Sequence, residues 1–318
     1  MKEIGGYLEI EKNSGYEYHQ DCIRLNTARN CLRYLIRNKN IKKIYLPYLL
    51  CSVIEDVCRE ENIEVKYYSV LKNFKLQLPN GLAGDEYLYV INYYGQYEKT
   101  FLEGLVKQYQ RVIIDNVQDF FEKPILNVDT IYTCRKFFGV TDGAYLYSQA
   151  TNTLELETDK SYNRIAYLFG RMECSANEFY SEYQENEEIL DYLPVKQMSA
   201  VTQNILKGID YNWVKKKRTE NYLYLCERLK EINQLNVRKI EGAYMYPLLL
   251  DNAEYIRKRL QTQKVYIPVL WPNAVKDRKN MYEGFLAENI LPLPCDQRYD
   301  LDDMQYVIDL IVKFMEEC

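Results

Sequence analysis

Apolar positions along the chain gather into short runs separated by stretches of helical spacing. Lys43-Ile-Tyr-Leu-Pro47, Ile63 to Ser69, Glu86 to Asn92, Arg111-Val-Ile-Ile-Asp115, Thr130 to Cys134 and Ala144 to Tyr147 are rich in β-branched and aromatic residues and bounded by turn residues. Each is predicted as a strand. Between them the spacing changes. Cys31, Leu32, Leu35 and Ile36 share one face of a helix that Asn26 or Thr27 can cap. Leu49 to Glu60 and Phe101 to Gln108 are predicted as further helices. Strands alternating with helices imply an α/β fold with a mostly parallel sheet and helices on both faces.

The remainder is less uniform. Gly5 to Ile10 is predicted as a short strand or arm. From about 155 to 200 the chain is acidic, with a helix over Glu178 to Leu190; Val201 to Leu229 is a long amphipathic pattern interrupted near Gly208. Ala243 to Leu249 and Val265 to Leu270 are predicted as strands flanking the helix Ala253 to Gln261, and Asp300 and Asp302 announce a last helix from Asp302 to Glu316. The expected division is a large domain over 1–215 and a smaller α+β domain over 216–318.

Composition removes several classes of function. A formal net charge of -5, with no basic tract, argues against nucleic acid or an anionic membrane as partner. No signal pattern or membrane-length apolar run is present, and the expected location is cytoplasmic. The nine cysteines form no Cys-x-x-Cys pair and read as reduced thiols. The single histidine, His19, lies in a polar segment and is expected at the surface. Any Ser-His or Cys-His catalysis would depend on it alone. Chemistry therefore falls to Lys, Asp, Tyr, Arg or a cofactor.

Lys136 is the strongest candidate, standing just past a strand end and before the Asp142-Gly143 turn, where a parallel sheet builds its ligand crevice. It is a candidate Schiff-base lysine, with a solvated lysine as the alternative. Asp115 ends another buried strand and Gln118 follows three residues later; a helix N-cap is the other reading of Asp115. The Thr27-Ala28 helix start can hold an anion, or be an ordinary cap. Pyridoxal phosphate needs this set: a lysine to anchor it, a carboxylate to keep its ring nitrogen protonated, and anion donors for its phosphate.

In these residues the sequence resembles the pyridoxal-phosphate-dependent aminotransferases of the DegT type, which act on nucleotide-linked keto sugars. Leu25-Asn-Thr-Ala-Arg-Asn30 is similar to the family's Ser-Gly-Thr-x-Ala phosphate turn, with Thr27 and Ala28 in register. Ile44-Tyr-Leu-Pro47 resembles its Val-Ile-x-Pro strand, Asn92-Tyr-Tyr-Gly-Gln96 its His-x-Tyr-Gly-Gln segment, and Ile114-Asp-Asn-Val-Gln118 its Glu-Asp-x-x-Gln. The spacing of Lys136 to Asp142-Gly143 matches that from the family's lysine to its acidic-Gly-Gly turn. Met198-Ser199 followed by Arg218, and Leu291-Pro-Leu-Pro294, resemble later family segments.

The resemblance implies a fold-type-I transferase and a homodimer with the site at the subunit interface. It implies Asp115 on the ring nitrogen, Gln118 near the ring hydroxyl, and Lys136 as both anchor and base, with an amino donor such as glutamate and a keto-sugar acceptor. Thr133 stands in for the family's phosphate serine, in a shortened approach to the lysine. Cys51 occupies the position of the aromatic that stacks on the ring, with Tyr48 or Tyr94 as possible substitutes. Asn163-Arg164 is the nearest counterpart of the partner's phosphate-reaching segment. Tyr94, Trp271 and Arg298 are substrate candidates, against a buried Trp capping the small-domain core and an ion pair of Arg298 with Asp296 or Asp300. These departures motivate the alternative of a catalytically reduced or non-catalytic relative that acts as a binding or regulatory protein.

Overall fold

A computed structural model describes residues 4–149 and 155–317. In chain order its elements are β1 (Ile23–Leu25), α1 (Ala28–Lys39), β2 (Lys43–Pro47), α2 (Ser52–Glu60), β3 (Glu64–Val70), β4 (Leu76–Gln77), β5 (Glu86–Ile91), α3 (Lys99–Tyr109), β6 (Val112–Asp115), β7 (Asp129–Thr133) and β8 (Ala144–Tyr147). There follow α4 (Ala166–Glu173), α5 (Tyr180–Tyr192), α6 (Ala200–Lys207), α7 (Tyr211–Leu229), β9 (Met245–Leu249), α8 (Ala253–Thr262), α9 (Pro272–Asp277), α10 (Tyr282–Asn289), β10 (Ile290–Pro294) and α11 (Leu301–Glu316).

The first eight strands form one sheet in the order β1-β8-β7-β6-β5-β2-β3-β4. The run β7-β6-β5-β2-β3 is parallel, and both flanks turn antiparallel. Residues of β6 and β7 are buried throughout, as strands covered on both faces must be. Helix α1 begins where the sequence indicates: Thr27 is its N-cap, its Oγ1 accepting from the Asn30 amide at 3.2 Å. Helices α6 and α7 break around Gly208, and Asp300 with Asp303 forms a capping box on α11. The second sheet is the antiparallel pair β9 and β10.

Three expectations are corrected. Gly5 to Ile10 forms no strand; Ile4, Tyr7, Leu8 and Ile10 project into solvent with no strand beside them. Val265 to Leu270 is irregular, because β10 takes the place beside β9 and Pro268 has no amide to give a ladder. His19 is fully buried rather than at the surface. Its Nε2 donates to the Phe120 carbonyl at 2.8 Å, so Nδ1 accepts from the Tyr147 hydroxyl at 3.2 Å. Phe120, Tyr132 and Tyr145 close around the ring. Burial pushes the imidazole down to about 3, so it is neutral at physiological pH.

Candidate active site

Because β5, β6 and β7 are parallel, their C-terminal ends open on one edge. Asp115 ends β6 between Ile91 of β5 and Ile131 of β7. Strand β1 also ends on this edge, since it is antiparallel to β8, which is antiparallel to β7; Leu25, Ala144 and Thr133 stand in one row. That row delivers Thr27 and the start of α1 to the same edge as the turn carrying Lys136. The Asp142-Gly143 turn fixes the two together. Gly143 donates to the Asn26 carbonyl at 2.6 Å, and Asp142 accepts from the Ser199 amide and hydroxyl at 2.8 and 2.7 Å and from the Thr202 hydroxyl. Gly143 has φ +114, and a Cβ there would meet Thr202 and Cys134 at 3.0 and 3.2 Å. Only glycine suits that position.

Both oxygens of Asp115 are committed to neutral donors: Oδ2 accepts from the Tyr89 hydroxyl at 2.7 Å and Oδ1 from the Val117 amide at 2.9 Å. Burial raises its carboxyl above the usual range, while the Lys136 ammonium pulls it back. For Lys136 the order is the same with opposite sign. Burial lowers its ammonium, and Asp115 and then Cys51 raise it again. The side chain keeps some surface while protein crowds its nitrogen, which lies over the Tyr244 ring, 5.4 Å from the centroid. Among the described residues it has no ion pair and no hydrogen bond. A desolvated amine with only a through-space carboxylate gives up its proton more readily than a solvated lysine, which favours its use as a nucleophile.

Gln118 is buried, its Oε1 accepting from the Tyr94 amide at 2.7 Å. Tyr94 sits at φ 52 and its buried hydroxyl has no hydrogen-bond partner among the described residues. Cys51, the N-cap residue of α2, is partly exposed and lies within electrostatic reach of Lys136. Tyr48 is engaged elsewhere, stacked on Tyr67 with their centroids 4.9 Å apart. Thr133 is buried at the end of β7.

Trp271 is buried, but in the core of the main sheet against Tyr93 and Tyr94 rather than in the small-domain core, because the segment before α9 packs on the turn after β5. Arg298 forms a two-pronged pair with Asp296, at 2.7 and 2.9 Å. Arg164 is buried in a pair with Asp159 at 2.9 Å. Two residues that sequence reasoning passed over belong to the site: Tyr89, which no local pattern distinguishes from other strand tyrosines, and Tyr244, whose place beneath Lys136 depends on a contact across more than a hundred residues. Arg218, noted only as part of a helical segment, is buried on the ring of Phe137, and its guanidinium donates to the carbonyls of Phe137, Ala243 and Tyr244. Gln297 also donates to the Phe137 carbonyl, at 2.9 Å. The residue that follows Lys136 is thus held from the C-terminal part of the chain.

The fold is one shared with solved aminotransferase structures. Solved structures similar to it include Spr1654 of Streptococcus pneumoniae in its PLP-form, with TM-score 0.65, 11% identity, and 93% of this chain and 87% of that one covered. PseC of Helicobacter pylori, an aminotransferase involved in the biosynthesis of pseudoaminic acid, matches with TM-score 0.63 and 12% identity over 94% and 88% of the two chains. A DegT DnrJ EryC1 StrS aminotransferase from Brucella abortus matches with TM-score 0.63 and 12% identity over 93% and 86%. No family model matches the sequence, and no curated protein does.

Proposed function

We propose that the protein is a pyridoxal-phosphate-dependent aminotransferase that moves an amino group from an amino acid such as glutamate to a nucleotide-linked keto sugar. One observation carries the reading: an uncommitted, desolvated lysine amine facing a buried carboxylate at the C-terminal edge of a parallel sheet. The fold and its aminotransferase neighbours support it.

The residues present fit the cofactor. Lys136 has a free amine, the Tyr94 hydroxyl lacks a partner, and the first amides of α1 have no acceptor within their own helix. Asp115 would hold a proton on the ring nitrogen, Gln118 would lie by the ring hydroxyl, and Thr27, Ala28 and Thr133 would hold the phosphate. Lys136 would anchor the group and, once displaced by the donor, carry a proton to and from the substrate carbon. The bound group itself supplies the electron sink.

A homodimer with the site at its interface belongs to the same proposal, supported by the exposed apolar side chains Phe169, Met172 and Tyr180 on α4 and α5. So does a cytoplasmic location, supported by free cysteines; Cys318 lies outside the described residues. Among the described residues no helix is long and apolar enough to cross a membrane. We retain the division into 1–215 and 216–318, with α7 as the connecting helix.

The test is spectroscopic. Protein mixed with pyridoxal phosphate is expected to gain visible absorbance that Lys136→Ala abolishes, that glutamate or another donor bleaches, and that a nucleotide keto sugar restores. Absence of a Lys136-dependent band sinks the reading. A band that no amino donor changes favours the non-catalytic alternative.

A further inference from the structure

We propose that Arg29 and Arg135 form a binding site for a phosphoryl anion beside Lys136, which Glu187 and Asp191 of α5 occupy when the anion is away. Arg135 immediately precedes Lys136, and Arg29 lies in the first turn of α1, two residues after the Thr27 cap. One helix reaches both: Glu187 pairs with Arg135 and Asp191 with Arg29. The two carboxylates are four residues apart on α5 and so lie on one face of that helix, which brings Arg29 and Arg135 to the same face. Two guanidinium forks gathered at one helix face suit the several oxygens of a phosphoryl group better than they suit single carboxylates.

Three observations mark the pairs as exchangeable. Nε of Arg135 is buried with no acceptor among the described residues. The arginine side chains are only 18% and 15% exposed, whereas those of Glu187 and Asp191 are 38% and 48% exposed, so these carboxylates come in from the solvent side. A pair built into the core looks different: Arg164 and Asp159 are 5% and 6% exposed. Finally, the positive charge is crowded. Burial disfavours the charge on Arg135 and neighbouring Arg29 adds to it, while Arg135 in turn disfavours the charge on Lys136. An anion carrying two charges at the start of α1 relieves that crowding, where helix amides and dipole also favour it.

The anion has two possible sources, a phosphate on the cofactor or the diphosphate of a nucleotide-linked acceptor. The inference rests on the proposed function only in setting the anion beside Lys136. The experiment titrates wild type, Arg135→Gln, Arg29→Gln and the double variant Glu187→Gln/Asp191→Asn. The ligands are pyridoxal phosphate and unphosphorylated pyridoxal, followed by visible absorbance, and uridine diphosphate, followed by calorimetry.

Each arginine variant is expected to weaken one phosphorylated ligand about tenfold, the scale of a charge-assisted contact, with pyridoxal unchanged. The double variant is expected to tighten that same ligand severalfold. Loss confined to pyridoxal phosphate assigns the site to the cofactor; loss confined to uridine diphosphate assigns it to the acceptor. Equal loss of pyridoxal and pyridoxal phosphate, no loss of either phosphorylated ligand, or wild type that binds neither overturns the proposal. If the arginine variants do not fold, the double variant decides, and failure to tighten either phosphorylated ligand overturns it. A Lys136-dependent band that these changes leave untouched, together with unchanged binding of uridine diphosphate, defeats this inference and leaves the proposed function standing.

Discussion

The floor of the site and the helix above it hold their charges in opposite ways. On the floor, buried carboxylates are fixed by neutral donors: Asp115, at the end of β6, by Tyr89 and Val117, and Asp119, in the loop that follows β6, by Asn92 at 3.0 Å. On α5, half-exposed carboxylates meet mostly covered arginines, and the Oδ1 of Asn186 and the Nε of Arg135 are buried without partners. Neutral hydrogen bonds inside a dry layer fix geometry and let burial, rather than a counter-ion, set the charge. Ion pairs at a partly wet boundary contribute little stability and can be exchanged. The difference separates a part shaped before a ligand arrives from a part that a ligand can rearrange.

The largest expected effect tests the claim that burial sets the floor's charges. Burial raises the Asp119 carboxyl from 3.8 to about 7. A carboxyl whose folded value is raised stabilises the fold below its unfolded value, and that contribution is lost as the pH climbs through the folded one. Asp119→Asn is therefore neutral near pH 4 and stabilises increasingly up to pH 8, approaching about 4 kcal/mol at 1.4 kcal/mol per unit. Urea denaturation at the two pH values measures it. Asp191→Asn on α5, by contrast, should shift stability by less than about 1 kcal/mol. Equal responses at the two positions would erase the distinction.

Next in size is Asp115→Asn, which keeps the shape of the floor and removes its charge. Amino transfer is expected to fall on the order of a hundred- to a thousandfold, about 3–4 kcal/mol in the barrier, with the fold intact by circular dichroism. A variant with near wild-type turnover would mean that the carboxylate only braces Tyr89 and Val117.

Arg218→Gln comes third. It removes a buried cation whose guanidinium binds three backbone carbonyls around Phe137 and Tyr244, and should destabilise the protein by about 2 kcal/mol. Because it grips the residue after Lys136, it should also slow attachment of pyridoxal phosphate. Gln297→Ala, removing one donor to the same carbonyl, should do less. Loss of stability with no change in attachment would make the clamp purely structural.

The floor was the legible half because its signals are local. A buried apolar run ending in a carboxylate, a lysine past a strand end and a threonine before a helix can each be read within a few residues, and parallel topology then brings Asp115, Lys136 and Thr27 to one edge. The helix above it was legible as an element, expected over Glu178 to Leu190 and found as Tyr180–Tyr192, but its pairings were not. Arg135 meets Glu187, His19 meets Phe120 and Lys136 meets Tyr244 across 50 to more than 100 positions, and no periodicity encodes such pairings. His19 shows the cost of judging burial by neighbours in sequence: a polar segment hid a side chain that aromatic rings from distant strands enclose. Val265 to Leu270 failed for a different reason: only Ile267 of its apolar residues is buried, and the segment pairs with no strand of the described residues.

The smallest effect sharpens the comparison most, because it concerns the one floor residue that behaves like the boundary above it. Tyr94 is buried against Trp271 and held at a positive φ, yet its hydroxyl has no partner, and burial pushes its ionisation far above the ordinary tyrosine range. A buried hydroxyl with nothing to bond loses its hydration without return. Tyr94→Phe should therefore leave stability unchanged or raise it by up to about 1 kcal/mol in thermal or urea unfolding. If the hydroxyl is kept for a ligand, the same variant should raise KM for the acceptor or donor severalfold with kcat little altered. A clear loss of stability would show that the hydroxyl already has a partner in the resting protein, and the floor would then be satisfied throughout before any ligand binds.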